Sequence, residues 1–108
     1  LTFAQAATGA TGIETLLSLS LELYHNGSVK LEKIIAALTS NPAKILKINK
    51  GNLSVGNDAD FCIVDINKPW IVKQENLVSK SKNTSIENKR LQGKVTNTYV
   101  KGQELYNI

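Results

Sequence analysis

Few side chains in this sequence could do chemistry unaided. His25 is its only histidine and Cys62 its only cysteine. A catalytic zinc centre takes three protein ligands, so one of each cannot build one. A single cysteine also excludes an internal disulfide and is compatible with a reducing compartment. Cys62 stands in the apolar run Phe61-Cys62-Ile63-Val64, where a buried, inert thiol is expected. His25 falls near a helix end on a polar stripe, where an exposed or capping role is expected. Asp58, Asp60 and Asp65 lack the number and spacing of a calcium loop, and turn and strand-end roles are expected for them. There is no GxSxG elbow and no Cys/His pair to supply a nucleophile.

The remaining candidate is backbone. Gly9 and Gly12 stand in Thr8-Gly9-Ala10-Thr11-Gly12, just ahead of a helical pattern. A glycine-rich turn before a helix can offer N–H groups to an anion. The full phosphate-binding patterns GxGxxG and GxxxxGK[ST] are absent. Spacing alone leaves both a plain start to a helix and a ligand contact open.

The elements that must position these groups come in two styles. From Gly12, the residues Ile13, Leu16, Leu17, Leu21 and Tyr24 follow helical spacing, and Leu19 and Leu23 widen that face. Glu14, Ser18, Glu22 and His25 form the opposite, polar stripe. So broad an apolar face predicts a helix packed into something larger. Asn26-Gly27 ends it. Leu31, Ile34, Ile35 and Leu38 make the stripe of a second helix. Asn41-Pro42 predicts a third, with Asn41 as cap and Pro42 in the first position.

After Lys50-Gly51 the period changes. Asn52 to Val55 reads as a short extended piece and Gly56-Asn57-Asp58 as a turn. Phe61 to Val64 is expected to be a strand covered on both faces, broken at Asn67-Lys68-Pro69. Trp70 to Val72 starts another strand, Gln74 to Val78 forms one helical turn, and Ser79 to Arg90 is a polar loop. Lys94 to Val100 favours strand, with a hairpin at Lys101-Gly102 and a return over Gln103 to Tyr106. By itself this layout predicts an α+β domain or two unlike pieces.

The 108 residues are 42% hydrophobic and 20% charged, which excludes bulk disorder and fits one ordinary domain or two small pieces of a larger one. No stretch approaches the roughly 20 apolar residues of a membrane span. The opening LTFAQAATGA has no basic or apolar leader segment. The net charge is +4, and Arg90 is the only arginine among 13 basic residues. The densest basic group, Lys80, Lys82, Lys89, Arg90 and Lys94, has no interleaved aromatics. It is expected to be solvated surface rather than a nucleic-acid interface.

Three segments, in order, resemble the C-terminal part of a dihydroorotase of the amidohydrolase superfamily. They are GIETLLSLSLELYHNGSVKLEKIIAALTSNPAKIL (Gly12 to Leu46), KGNLSVGNDADFCIVD (Lys50 to Asp65), and SKSKNT (Ser79 to Thr84) followed by LQGKVTNTYVKGQELY (Leu91 to Tyr106). NPAK with GxLxxGxDAD is similar to the superfamily as a whole, including hydantoinases, dihydropyrimidinases and allantoinases. SKSKN is similar to dihydroorotases in particular.

The resemblance implies an α/β fold: residues 1–50 would be the last helices of a (β/α)₈ barrel, starting just after the catalytic Asp loop. Residues 51–108 would be the C-terminal part of a small composite β-sandwich. It implies a cytoplasmic, zinc-dependent enzyme that reversibly hydrolyses dihydroorotate to carbamoyl-aspartate in pyrimidine biosynthesis. Catalytic residues and zinc ligands would lie outside this segment, in the preceding barrel portion. The loop before Gly-x-Glu-Thr offers backbone groups to the substrate carboxylate in this family. The matching residues are Ala6, Ala7, Thr8 and Gly9, which implies substrate binding by Ala7 and Gly9. The parent would act on a small-molecule substrate, as a homodimer or in complex with aspartate transcarbamoylase, with no nucleic-acid or membrane partner. The resemblance leaves two alternatives: another cyclic amidohydrolase, hydantoinase- or allantoinase-like, and a non-catalytic subunit that binds aspartate transcarbamoylase.

Overall fold

The computed structural model describes residues 1–108. Three helices come first: α1 (Leu16–His25), α2 (Leu31–Leu38) and α3 (Ser40–Leu46). Three strands follow: β1 (Phe61–Ile71), β2 (Arg90–Val100) and β3 (Gln103–Asn107). The strands form one antiparallel sheet in the order β1-β2-β3. Lys101 and Gly102 make the β2–β3 turn with φ of 50° and 77°, as expected for a two-residue hairpin that needs positive φ at both positions. A single turn of 3₁₀ helix occupies Gln74–Asn76, within the expected helical turn.

Local chemistry moved several boundaries. Gly12 to Thr15 form a turn rather than helix, with the Thr15 N–H and hydroxyl both donating to the Gly12 carbonyl, at 3.3 and 3.2 Å. α3 begins at Ser40, so Asn41 lies inside its first turn and does not cap it. The corner is made instead by Thr39, whose hydroxyl donates to the Ile35 carbonyl at 2.6 Å. Pro42 still falls in the first turn, where a missing N–H is tolerated. Gly51 folds back against this corner at φ 77°, and a Cβ there would stand 2.8 Å from the Thr39 carbonyl oxygen.

Asn52 to Ser54 join no strand, the turn begins at Val55, and Asn52 Oδ1 accepts from the Ser54 N–H at 3.2 Å. The expected break at Asn67-Lys68-Pro69 is a bulge within one strand. The β1 register passes from Asp65 opposite Lys94 to Pro69 opposite Gln92. A bulge leaves residues outside the ladder, and proline is admitted there because no N–H is required.

The largest departure from expectation concerns which face of α1 packs on the sheet. Leu21 enters the interior, where it is fully enclosed with Val72 and Leu91. Polar side chains of α1 reach the sheet beside it. Ser18 is buried and donates to the Gly93 carbonyl at 2.5 Å. His25 Nε2 lies 2.9 Å from the Ile66 carbonyl, and Glu22 pairs with Lys89 at 3.1 Å. Ile13 and Leu16, on the apolar side, are 92% and 54% exposed. The expected outward stripe therefore faces inward, because bulged and irregular backbone needs hydrogen-bond partners that only polar side chains supply.

Gly93 permits this approach. At φ 109° it holds a conformation that side chains rarely adopt, and a Cβ there would stand 2.4 Å from Leu21 Cδ1.

β1 is an edge strand, and its apolar run is not covered on both faces. Phe61 and Ile63 are partly exposed, and Cys62 is exposed rather than buried. Phe61 instead stacks on Tyr99 across the sheet, with ring centroids 4.6 Å apart. The chain as a whole is poorly self-covered. Only 10 of 108 residues are buried, and 8058 Å² is accessible. A closed monomer of 11.8 kDa would expose about 5,900 Å². The radius of gyration is 16.0 Å, against about 13 Å for a compact domain of this length.

Candidate functional site

Ala7 and Gly9 lie on an exposed loop that runs from a single turn of 3₁₀ helix at Phe3–Gln5 to the start of α1. Thr2 and Gln5 close that turn, the Thr2 N–H donating to Gln5 Oε1 at 3.0 Å. Ala6 N–H donates back to the Thr2 carbonyl at 3.1 Å. From Ala7 to Ala10 no backbone N–H meets a protein acceptor. The loop therefore offers a short series of free donors on an open surface.

The far end of the loop is anchored. Asn83, from the Ser79–Thr84 segment, donates through Nδ2 to the Gly9 carbonyl. The Asn83 backbone carbonyl accepts from the Thr11 N–H at 2.8 Å. The Ser79–Thr84 segment is itself tied to the start of α1. The Glu14 carboxylate accepts from the N–H groups of Val78 and Ser79 at 3.0 and 3.1 Å, and Lys82 Nζ donates to the Leu77 carbonyl. SKSKN and Gly-x-Glu-Thr lie far apart in the sequence. Only the fold shows that they bind each other, though an Asn and a Glu flanking two loops are residue types suited to such a role.

The other candidates are occupied elsewhere. His25 is held by the Ile66 carbonyl. Asp58 and Asp60 both pair with Lys50, Asp58 at 3.2 Å. Those contacts hold the Asp60 carboxyl below the usual carboxylate range, with Lys50 the larger cause and the Lys101 N–H the next. They also raise Lys50, chiefly through Asp60. The Tyr99 hydroxyl is raised by its hydrogen bond to Glu104, 3.1 Å away.

The basic group is dispersed: Lys82 and Lys89 bind Leu77 and Glu22, and Lys94 lies over the Trp70 ring at 4.8 Å. No three His, Cys, Asp or Glu side chains converge anywhere in the chain. These residues do not fit a zinc ion.

Two clefts of the surface lie beside these elements. One, of about 530 Å³, is polar and includes His25, Glu22 and Arg90. The other, of about 720 Å³, is apolar and runs between α2, α3 and the sheet, lined among others by Ile35, Leu46, Leu53, Phe61 and Val100. Neither is lined by Ala7 or Gly9.

A helical segment on a hairpin sheet with open apolar surfaces, and a donor loop ahead of its first helix, matches one family along almost its whole length. The chain belongs to the amidohydrolase family, whose sequence pattern covers residues 4–105. It is similar to the dihydroorotase of Ehrlichia canis (strain Jake), with 44% identity over 94% of this chain and 23% of that protein. The dihydroorotase of Aquifex aeolicus (strain VF5) is 43% identical over 94% of this chain and 24% of its own length.

Among solved structures, the L-hydantoinase (dihydropyrimidinase) of Arthrobacter aurescens superposes with a TM-score of 0.88 at 30% identity, covering 94% of this chain and 23% of that one. The D-hydantoinase (dihydropyrimidinase) of Thermus sp. gives 0.82 at 21% identity, over 98% of this chain and 24% of that one, and shares the fold. The mixed α/β class expected for the chain is therefore the class these amidohydrolases have. The chain spans about a quarter of the length of the curated relatives it matches.

Proposed function

We propose that this chain is the C-terminal segment of a dihydroorotase and works only with the remainder of that protein. The observation that carries this reading is its identity to dihydroorotases, 44% and 43% for the two above, against 30% for the L-hydantoinase. The complete enzyme would open the cyclic amide of dihydroorotate reversibly to carbamoyl-aspartate, in the cytoplasm, as a step of pyrimidine biosynthesis. Zinc would fall to residues outside 1–108.

Within that enzyme, residues 1–50 would be the last barrel helices and residues 51–108 part of a β-sandwich. The roughly 2,100 Å² of surface beyond that of a closed monomer supports a covering body, and the preceding barrel portion is the simplest one. The loop at Ala7 and Gly9 would give its free backbone N–H groups to the substrate carboxylate. Their lack of protein acceptors supports that role.

The test is turnover by the full-length protein. Dihydroorotate hydrolysed far faster than hydantoin is the expected result. The reverse preference would make the protein a hydantoinase-like enzyme. Absence of both activities, with co-purification of aspartate transcarbamoylase, would make it a non-catalytic subunit.

A further inference from the structure

We propose that Asn83 is a positioning residue for substrate binding, acting through the Gly9 loop; this rests on the reading of that loop as the carboxylate site. Asn83 grips two consecutive peptide groups. Its side-chain Nδ2 donates to the Gly9 carbonyl, and its backbone carbonyl accepts from the Thr11 N–H at 2.8 Å. A peptide group is planar and trans. Holding the Gly9 oxygen therefore aims the Ala10 N–H, on the same plane, in the opposite direction. Holding the Thr11 N–H fixes the next plane. Ala10 N–H has no protein acceptor, so the clamp presents it, and fixes the Cα from which the Gly9 N–H departs.

The clamp is itself braced. The segment carrying Asn83 starts at Val78 and Ser79, whose N–H groups end on the Glu14 carboxylate at 3.0 and 3.1 Å. Glu14 lies three residues beyond Thr11. Both ends of the Ser79–Asn83 segment are thus fastened to one short stretch, residues 9–14, ahead of α1. An exposed loop without internal ladder bonds would otherwise sample many conformations. Here its C-terminal end is ordered before any ligand arrives, which lowers the ordering cost of binding. Asn83 touches no reacting atom in this arrangement, so its effect belongs to binding rather than to the chemical step.

The test uses the full-length enzyme with dihydroorotate. Asn83→Ala removes the donor. Asn83→Asp keeps the shape but sets a carboxylate oxygen against the Gly9 carbonyl. KM should rise about fivefold for Asn83→Ala and further for Asn83→Asp, with kcat within about twofold and zinc content unchanged. Amide hydrogen exchange of Thr11, whose N–H ends on the Asn83 backbone carbonyl, should quicken in both, a reading that needs no turnover.

Wild-type KM in both variants would overturn the proposal, as would a fall in kcat at constant KM. Gly9→Pro separates the two levels of the argument. A raised KM for Gly9→Pro beside silent Asn83 variants keeps the loop as the carboxylate site and removes the positioning role. A wild-type KM for Gly9→Pro removes both.

Discussion

The indole N–H of Trp70 on β1 donates to Ser18 Oγ on α1 at 3.1 Å, and both side chains reach the same acceptor, the Gly93 carbonyl on β2. Three elements far apart in sequence are joined at one oxygen. The group is partly screened from water, with Ser18 buried and Lys94 across the Trp70 ring. This is the polar seam through which the first helix holds the sheet.

Ser18→Ala in the full-length protein should lower stability by about 1 kcal/mol, the usual worth of one hydrogen bond. Trp70 still satisfies the Gly93 carbonyl in that variant, which keeps the loss small. A loss above about 3 kcal/mol, from denaturant midpoints at constant slope, would mean that the seam behaves as a single cooperative network.

Gly93→Ala should cost more, about 3 kcal/mol or above, through positive-φ strain and overpacking together. The added methyl meets Leu21 Cδ1, and Leu21 is fully enclosed with no room to retreat. Gly9→Ala, where nothing lies within 4 Å of the added group, should be nearly neutral by the same denaturant midpoints. Equal midpoints for the two variants would contradict the packing described at Gly93.

The Lys50 cluster gives a pH prediction. Asp60 is held below its ordinary value of 3.8, so its contribution to stability is present above that value. The contribution is lost as pH falls through the lowered folded-state value. Lys50→Ala should return the Asp60 titration, followed by carboxyl NMR shifts, upward toward 3.8. An unmoved Asp60 in that variant would shift the cause to the Lys101 N–H, its second partner at 2.8 Å.

Residues 1–108 made alone should associate rather than remain monomeric. Leu16, Ile45, Leu46, Leu53 and Ile63 are all exposed, and β1 presents an unpaired edge beside the apolar cleft. Contiguous apolar surface and an open edge favour self-association. A monodisperse monomer in sedimentation, with one cooperative thermal transition, would show that the segment sustains itself.

Sequence by itself determined most of the elements of this protein and its family. Helical spacing over Leu16 to Tyr24 and Leu31 to Leu38, and the Lys101-Gly102 turn, state their geometry locally, because each depends on residues within a few positions. The breadth of the first helix's apolar face was legible too, and the exposed Leu16 and Leu23 are its counterpart in the structure.

Only the tertiary structure decided which face of α1 meets the sheet. Ser18 and His25 read as solvent-facing until the irregular backbone at Gly93 and Ile66 supplies acceptors for them. Cys62 read as buried until its strand proved to be an edge. The Asn83 side chain has no partner nearby in sequence, since its acceptor lies 74 residues earlier. Periodicity reports a side chain's preference for water or oil. It does not report which unpaired backbone group, far along the chain, will need that side chain as its partner.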